Sequence, residues 1–135
     1  MNVLLVEDDY LIAKVTARYL RRLGGHDVRV TVDPAEMFDL CQACWPSVVL
    51  MDVNIPGAKW EGKWVSGADL SRVLKTQPQT ANLPILLVTA YAIEEDKCHL
   101  MAASLADELW AKPVVDYSSL VRAIESYAPV AQLAG

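Results

Sequence analysis

The chain has 135 residues, 53% of them hydrophobic, and a formal net charge of −5. That length suits one domain with its own core, and the composition excludes a disordered chain or a small disulfide scaffold. The acidic balance argues against direct nucleic-acid binding, which needs a basic footprint, and no apolar run reaches the length of a membrane span. Met1-Asn2 leads straight into Val3-Leu4-Leu5-Val6 without a basic n-region. No signal peptide is read there, and a cytoplasmic location is expected.

Strand-like and helix-like stretches alternate. Val3 to Val6 is a continuous apolar strand that runs into three acids, Glu7-Asp8-Asp9. A helix is predicted from about Asp9 to Leu23, with Ile12, Val15, Tyr19 and Leu23 at helical spacing and Gly24-Gly25 ending it. Asp27 to Val32 alternates with β-branched residues and reads as the second strand. Asp33-Pro34-Ala35-Glu36 is a helix start, with an N-cap acid and proline at the first helical position. That helix carries Met37, Leu40, Cys41 and Cys44 and closes at Pro46. Cys41 and Cys44 have the C-x-x-C spacing of a redox or zinc pair, but no second ligand pair accompanies them. They read as two small apolar residues one turn apart.

Ser47 to Met51 is the third strand, and Asp52 follows at its end. A four-residue apolar run, Val48-Val49-Leu50-Met51, reads as a strand buried on both faces. A loop then extends from Val53 to Val65, followed by a helix from Ser66 to Gln77 with Leu70, Val73 and Leu74 inward. Ile85 to Val88 is the fourth strand, with Thr89-Ala90-Tyr91 at its end. Ile93 to Leu105 is helical with mixed polarity. Glu108 to Ala111 is a short fifth strand ending at Lys112-Pro113. Asp116 or Ser118 starts a last helix with Leu120, Val121, Ile124 and Tyr127, and Pro129 stops it. Residues 1–128 are expected to form one domain and residues 129–135 a C-terminal tail.

Five βα units imply an α/β fold: a five-stranded parallel sheet with helices on both faces and right-handed crossovers. The common doubly wound order for five strands is 2-1-3-4-5, as in flavodoxin, with ligands at the carboxyl ends of the strands. That order brings Glu7 and Asp8 beside Asp52 and adds Thr89 and Lys112 on the same rim. Each residue alone has a plainer reading. Three acids can be a solvated helix N-terminus favoured by the macrodipole, and a threonine at a strand end is an ordinary β-former. Four chemically matched strand ends make the plain readings hard to hold together.

Crowded carboxylates resist ionising unless a cation joins them. Carboxylate oxygens with a backbone carbonyl, available at Val53-Asn54, suit Mg²⁺. With the cation present, Asp52 can act as a nucleophile toward a phosphoryl group. The Lys112 ammonium and the Thr89 hydroxyl are then donors for the phosphoryl oxygens.

In the order and spacing of Val6-Glu7-Asp8-Asp9, Met51-Asp52-Val53-Asn54-Ile55-Pro56-Gly57, Thr89-Ala90 and Lys112-Pro113, the chain resembles a response-regulator receiver domain of two-component signalling. The resemblance implies that Asp52 accepts phosphate from a histidine kinase or a histidine phosphotransfer protein. It implies Mg²⁺ ligation by Asp8 and Asp52, by Glu7 through water and by the Asn54 carbonyl. Thr89 and Lys112 are implied contacts of the phosphoryl group, Asn54 and Tyr91 positions that tune its lifetime, and Lys112–Pro113 a cis peptide. Output is expected through protein contacts of the fourth helix, fifth strand and fifth helix. A stand-alone receiver is the expectation, without direct nucleic-acid binding or membrane insertion.

Two features depart from the family pattern. The position three residues before the lysine, usually tyrosine or phenylalanine, is Leu109, with Trp110 next. Trp110 either takes on a related task or covers the other face of the strand. The Val53–Val65 loop far exceeds the roughly two to six residues of an ordinary βα connection. Its Lys59-Trp60-Glu61-Gly62-Lys63-Trp64 segment reads either as a lid or docking surface or as an insertion packed back on the domain.

A rival class is the haloacid-dehalogenase type of phosphohydrolase, which also uses an aspartate nucleophile, Ser/Thr, lysine and Mg²⁺. It needs a general acid/base two residues after the nucleophile, where this chain has Asn54. A degenerate, phosphorylation-independent receiver scaffold is a further alternative, opposed by the complete acidic set.

Overall fold

β1 (Asn2–Val6) and β3 (Val48–Asp52) each hold an unbroken run of four apolar residues, Val3–Val6 and Val48–Met51, and each is buried along almost its whole length. A strand apolar on both sides must be covered on both sides, which places it inside a parallel sheet. In the computed structural model, which describes residues 1–90 and 94–128, the two pair in parallel with Leu5 opposite Leu50. β2 (Asp27–Thr31) lies outside β1, while β6 (Ile85–Thr89) and β7 (Glu108–Ala111) continue beyond β3. The order is β2-β1-β3-β6-β7. With the two strands of a small hairpin left out of the count, this is the expected 2-1-3-4-5, a doubly wound α/β fold. Tyr91 and the expected tail, residues 129–135, lie outside the described residues.

The pleat sends alternate side chains to opposite faces. Val3, Leu5, Val48, Leu50, Leu86 and Val88 meet α1 (Tyr10–Gly24) and α5 (Tyr117–Glu125) through Ala13, Ala17, Leu20, Leu120, Val121 and Ile124. Leu4, Val6, Val49, Met51, Ile85 and Leu87 meet α2 (Pro34–Gln42) and α3 (Gly67–Thr76) through Met37, Phe38, Cys41, Leu70 and Leu74. Met101 of α4 (Glu94–Ser104) packs at the edge of that second core.

Local chemistry fixes the helix ends. The Asp9 carboxylate accepts from the backbone N–H of Leu11 and Ile12, and Gly25 ends α1 in the left-handed region. Asp33 caps α2 with Pro34 at its start, Asp116 caps α5, and Ser66 and Asp69 form a reciprocal capping box on α3. Each cap satisfies backbone donors that the helix itself cannot.

The stripe expected to characterise α1 lies on its outer side. Ile12, Val15, Tyr19 and Leu23 are 38, 42, 42 and 51% exposed, and the buried residues are Ala13, Thr16, Ala17 and Leu20. The helix packs on the sheet and α5 together, and small side chains permit the close approach. The bulkier stripe is left on the flank, where Tyr19 stacks on Tyr117 with ring centroids 4.6 Å apart. Of the C-x-x-C pair, Cys41 is buried in the core, and Cys44 is exposed beyond the end of α2. Among the described residues they join no metal-binding cluster.

The long loop is an ordered hairpin. β4 (Lys59–Trp60) and β5 (Lys63–Trp64) pair antiparallel across Glu61 and Gly62, both at positive φ, 52° and 77°. Two consecutive positive-φ residues make the tight turn whose twist suits a two-residue hairpin. Trp60 packs on Phe38 of α2 with centroids 4.1 Å apart, so one tryptophan does fold back on the domain. Trp64 stays 69% exposed, with the Lys59 ammonium 4.2 Å from its ring centroid.

Candidate functional site

Parallel register brings four strand ends level. Val6 pairs with Met51, Asp52 with Val88, and Thr89 with Ala111. Glu7, Asp52, Thr89 and Lys112 therefore emerge on one rim, although 105 residues separate the first from the last. The backbone extends the pairing past the strands: Lys112 N–H donates to the Thr89 carbonyl at 2.8 Å.

Lys112 is the hub. Its Nζ donates to Glu7 Oε1 at 2.8 Å, to Glu7 Oε2 at 2.9 Å and to Asp52 Oδ2 at 2.8 Å. The second Asp52 oxygen, Oδ1, accepts from the backbone N–H of Asn54 at 3.1 Å. The carboxylates are almost fully enclosed, with side-chain exposures of 3% for Glu7 and 5% for Asp52, against 15% for Lys112. Burial and the neighbouring Asp52 push the Glu7 carboxyl up to about 7, in spite of the lysine beside it. Burial works against the Lys112 ammonium, but its bonds to Asp52 and Glu7 outweigh that, and its pKa lies above the ordinary lysine value. Burial and the adjoining Asp52 thus favour the neutral form of Glu7, while the two carboxyl groups favour the charged form of Lys112.

Asp8 joins from the exposed side. Carboxylate oxygens of Glu7, Asp8 and Asp52 lie within 4.8 Å of one another. Asp9, the third acid of the run, caps α1 instead. The open cleft above the triad is lined by Asp8, Asn54, Ala90 and Lys112 among others. Thr89 is 2% exposed and lies one residue before the cleft-lining Ala90. Three carboxylates against one ammonium leave excess negative charge, the condition that a divalent cation with oxygen ligands relieves. The Lys112–Pro113 peptide is cis, as the resemblance implies.

Leu109 packs into the α2–α3 core, and Trp110 packs on the opposite face. The Trp110 indole N–H donates to Glu108 Oε1 at 3.2 Å, and the Tyr127 hydroxyl donates to the other Glu108 oxygen. Trp110 thus covers the α5 side of the strand. One residue beside the site escaped the sequence reading. Gly67, the first residue of α3, lies directly behind the Asp52 backbone. Its only sequence signal is a glycine placed just inside a capped helix start.

A parallel sheet with acidic residues and a lysine at its carboxyl rim defines the class as a doubly wound α/β domain with an acidic rim site. The chain belongs to the response regulator receiver domain family, whose model matches residues 3–125. It is 26% identical over 126 residues to the polar-differentiation response regulator DivK of Brucella ovis, covering 93% of this chain and 94% of that protein. It is similar in fold to the receiver domain of a sensor histidine kinase from Pseudomonas aeruginosa PAO1. The TM-score is 0.76 and the identity 25%, over 93% of this chain and 95% of the other, and that structure carries a magnesium ion in its active-site cleft. The chemotaxis protein CheY4 of Vibrio cholerae shares the fold with a TM-score of 0.76 and 24% identity, over 94% of this chain and 98% of its own. Among the described residues, no helix is long and apolar enough to cross a membrane.

Proposed function

We propose that this receiver domain is a phospho-accepting switch with Asp52 as its acceptor. The observation that carries the reading is the single ammonium of Lys112 held 2.8 Å from both a Glu7 and an Asp52 oxygen, at the rim where the strands end. The donor is a phosphohistidine on a histidine kinase or a histidine phosphotransfer protein. An Asp52 carboxylate oxygen attacks phosphorus, the P–N bond breaks, and its electron pair leaves on the imidazole nitrogen, which takes up a proton. An acyl phosphate on Asp52 and a free histidine result.

The residues present suit Mg²⁺: hard oxygens from Glu7, Asp8 and Asp52, with the Asn54 carbonyl completing the protein's share. Such an ion, when bound, neutralises the crowded carboxylates and the phosphoryl oxygens. Lys112 exchanges part of its bonding from Asp52 to the incoming phosphoryl group, and the Thr89 hydroxyl offers a further donor. The outcome is a change in protein–protein contacts in the cytoplasm, with the α4–β7–α5 surface as the expected exit of the signal.

Acetyl phosphate with Mg²⁺ tests the reading. The parent takes one phosphoryl group, Asp52→Asn takes none, and a chromogenic phosphate monoester is not turned over. Label retained in Asp52→Asn, or repeated turnover of the monoester, overturns it.

A further inference from the structure

α3 begins on a residue that helices disfavour. Glycine is the weakest helix former after proline, yet Gly67 is the first helical residue of α3. No left-handed backbone calls for it, since the positive-φ glycines are Gly25, Gly57 and Gly62. Space does call for it. A Cβ at Gly67 would overlap the Asp52 carbonyl oxygen and would stand 2.9 Å from its carbonyl carbon and 2.9 Å from Met51 Cγ.

Neither neighbour can give way easily. Met51 and Asp52 are buried, and Asp52 is paired with Val88 inside the sheet. The next residue is pinned on both sides: Val53 N–H donates to the Val88 carbonyl at 3.0 Å, and the Val53 carbonyl accepts from Gly67 N–H at 2.8 Å. The capping box holds the same turn, with Ser66 N–H donating to Asp69 Oδ2 at 2.8 Å. The grips on the carboxylate, from Lys112 on Oδ2 and Asn54 N–H on Oδ1, both depend on where this peptide lies.

We infer that Gly67 is a positioning residue for Asp52: the bare backbone of the first turn of α3 fixes the Asp52–Val53 peptide, and through it the direction of the carboxylate. The inference rests on Asp52 being the phospho-acceptor. A close backbone approach behind a reacting group is a rigid support of the kind that an active side chain needs.

The test compares initial rates of labelling by acetyl phosphate at saturating Mg²⁺, each divided by the folded fraction from circular dichroism. Misplacement of a reacting group on the order of 1 Å lowers a rate on the order of 100-fold, and Gly67→Ala is expected to lose about that much. Ser66→Ala removes the cap and loosens the same turn without adding an atom near Asp52. It is expected to show a smaller loss, and it keeps the test alive if the alanine variant does not fold. Leu74→Ala, a core truncation farther along α3, is the stability control and is expected to label at the parental rate per folded molecule. The ¹⁹F spectrum of the beryllofluoride adduct should shift in Gly67→Ala and Ser66→Ala and stay parental in Leu74→Ala. Parental labelling in Ser66→Ala, together with a Gly67→Ala chain that labels normally or does not fold, overturns the inference. A parent that takes no label overturns the proposed function instead, so the two failures are distinct.

Discussion

Replacing Lys112 with methionine removes the ammonium that bridges Glu7 and Asp52 while keeping most of the side chain's apolar volume. The magnitude follows from the burial of the three groups. Glu7 and Asp52 are 3% and 5% exposed, so neither carboxylate can recover its hydration when the ammonium goes. Breaking a buried ion pair by deleting one partner costs about 3–5 kcal/mol. Lys112 is itself 15% exposed and admits some solvent, which sets the expectation at the lower end of that range. About 3 kcal/mol corresponds to a fall in Tm of roughly 10 °C for a chain of this size. Urea unfolding, followed by tryptophan fluorescence in metal-free buffer, measures it. Adding Glu7→Gln and Asp52→Asn to Lys112→Met removes the stranded charges and is expected to restore most of the loss. Mg²⁺ should stabilise Lys112→Met more than it stabilises the parent, because it supplies the missing positive charge. A loss under about 1 kcal/mol, the level of a surface ion pair, would refute the reasoning. So would a triple variant no more stable than the single one.

Asp8→Ala removes a like charge from the acidic cluster, and the metal-free variant is expected to be more stable than the parent while losing the Mg²⁺-dependent change in tryptophan fluorescence. An unchanged Mg²⁺ affinity contradicts the assignment of Asp8. The loop from Val53 to Val65 leaves and returns at the peptide after Asp52, and hydrogen exchange with beryllofluoride is expected to alter residues 57–65 more than the strand around Leu109. Changes confined to Leu109 and α4 mark the hairpin as a passive insertion. Glu61 holds a φ of 52°, which asparagine accepts with less strain, so Glu61→Asn is expected to stabilise the chain by about 0.5–1 kcal/mol in urea unfolding. A destabilised variant contradicts the tight-turn assignment.

The sheet and its rim were legible because their signals are compositional and local. Buried parallel strands need unbroken apolar runs, and the candidate site residues sit where those runs end, so Val3–Val6 and Val48–Met51 point to Glu7, Asp8 and Asp52 at the rim. Caps were legible for the same reason: Asp33-Pro34 acts on a donor two residues away, and Asp116, one of two candidate starts with Ser118, acts on a donor three residues away. What stayed hidden depends on the third dimension. In α1, hydrophobic size pointed to Ile12, Val15, Tyr19 and Leu23, but packing between sheet and α5 selected the stripe of Ala13, Ala17 and Leu20, where two of the three side chains are alanines. The Val53–Val65 loop was legible as an insertion but not as a hairpin, because strands of two residues are too short to show a period. Its two tryptophans divide between the alternatives, Trp60 against Phe38 and Trp64 in solvent. Gly67 escaped because its partner is a backbone carbonyl fifteen residues earlier, and nothing in a one-dimensional pattern reports that approach.

Peptide mass spectrometry of the chain after exposure to a phosphohistidine donor, with and without Mg²⁺, tests the central claim most directly. One phosphoryl group is expected on the peptide that contains Asp52, formed only with Mg²⁺ and absent from Asp52→Asn. A phosphoryl group on any other residue, or on Asp52 at an undiminished rate in the presence of a chelator, would contradict it.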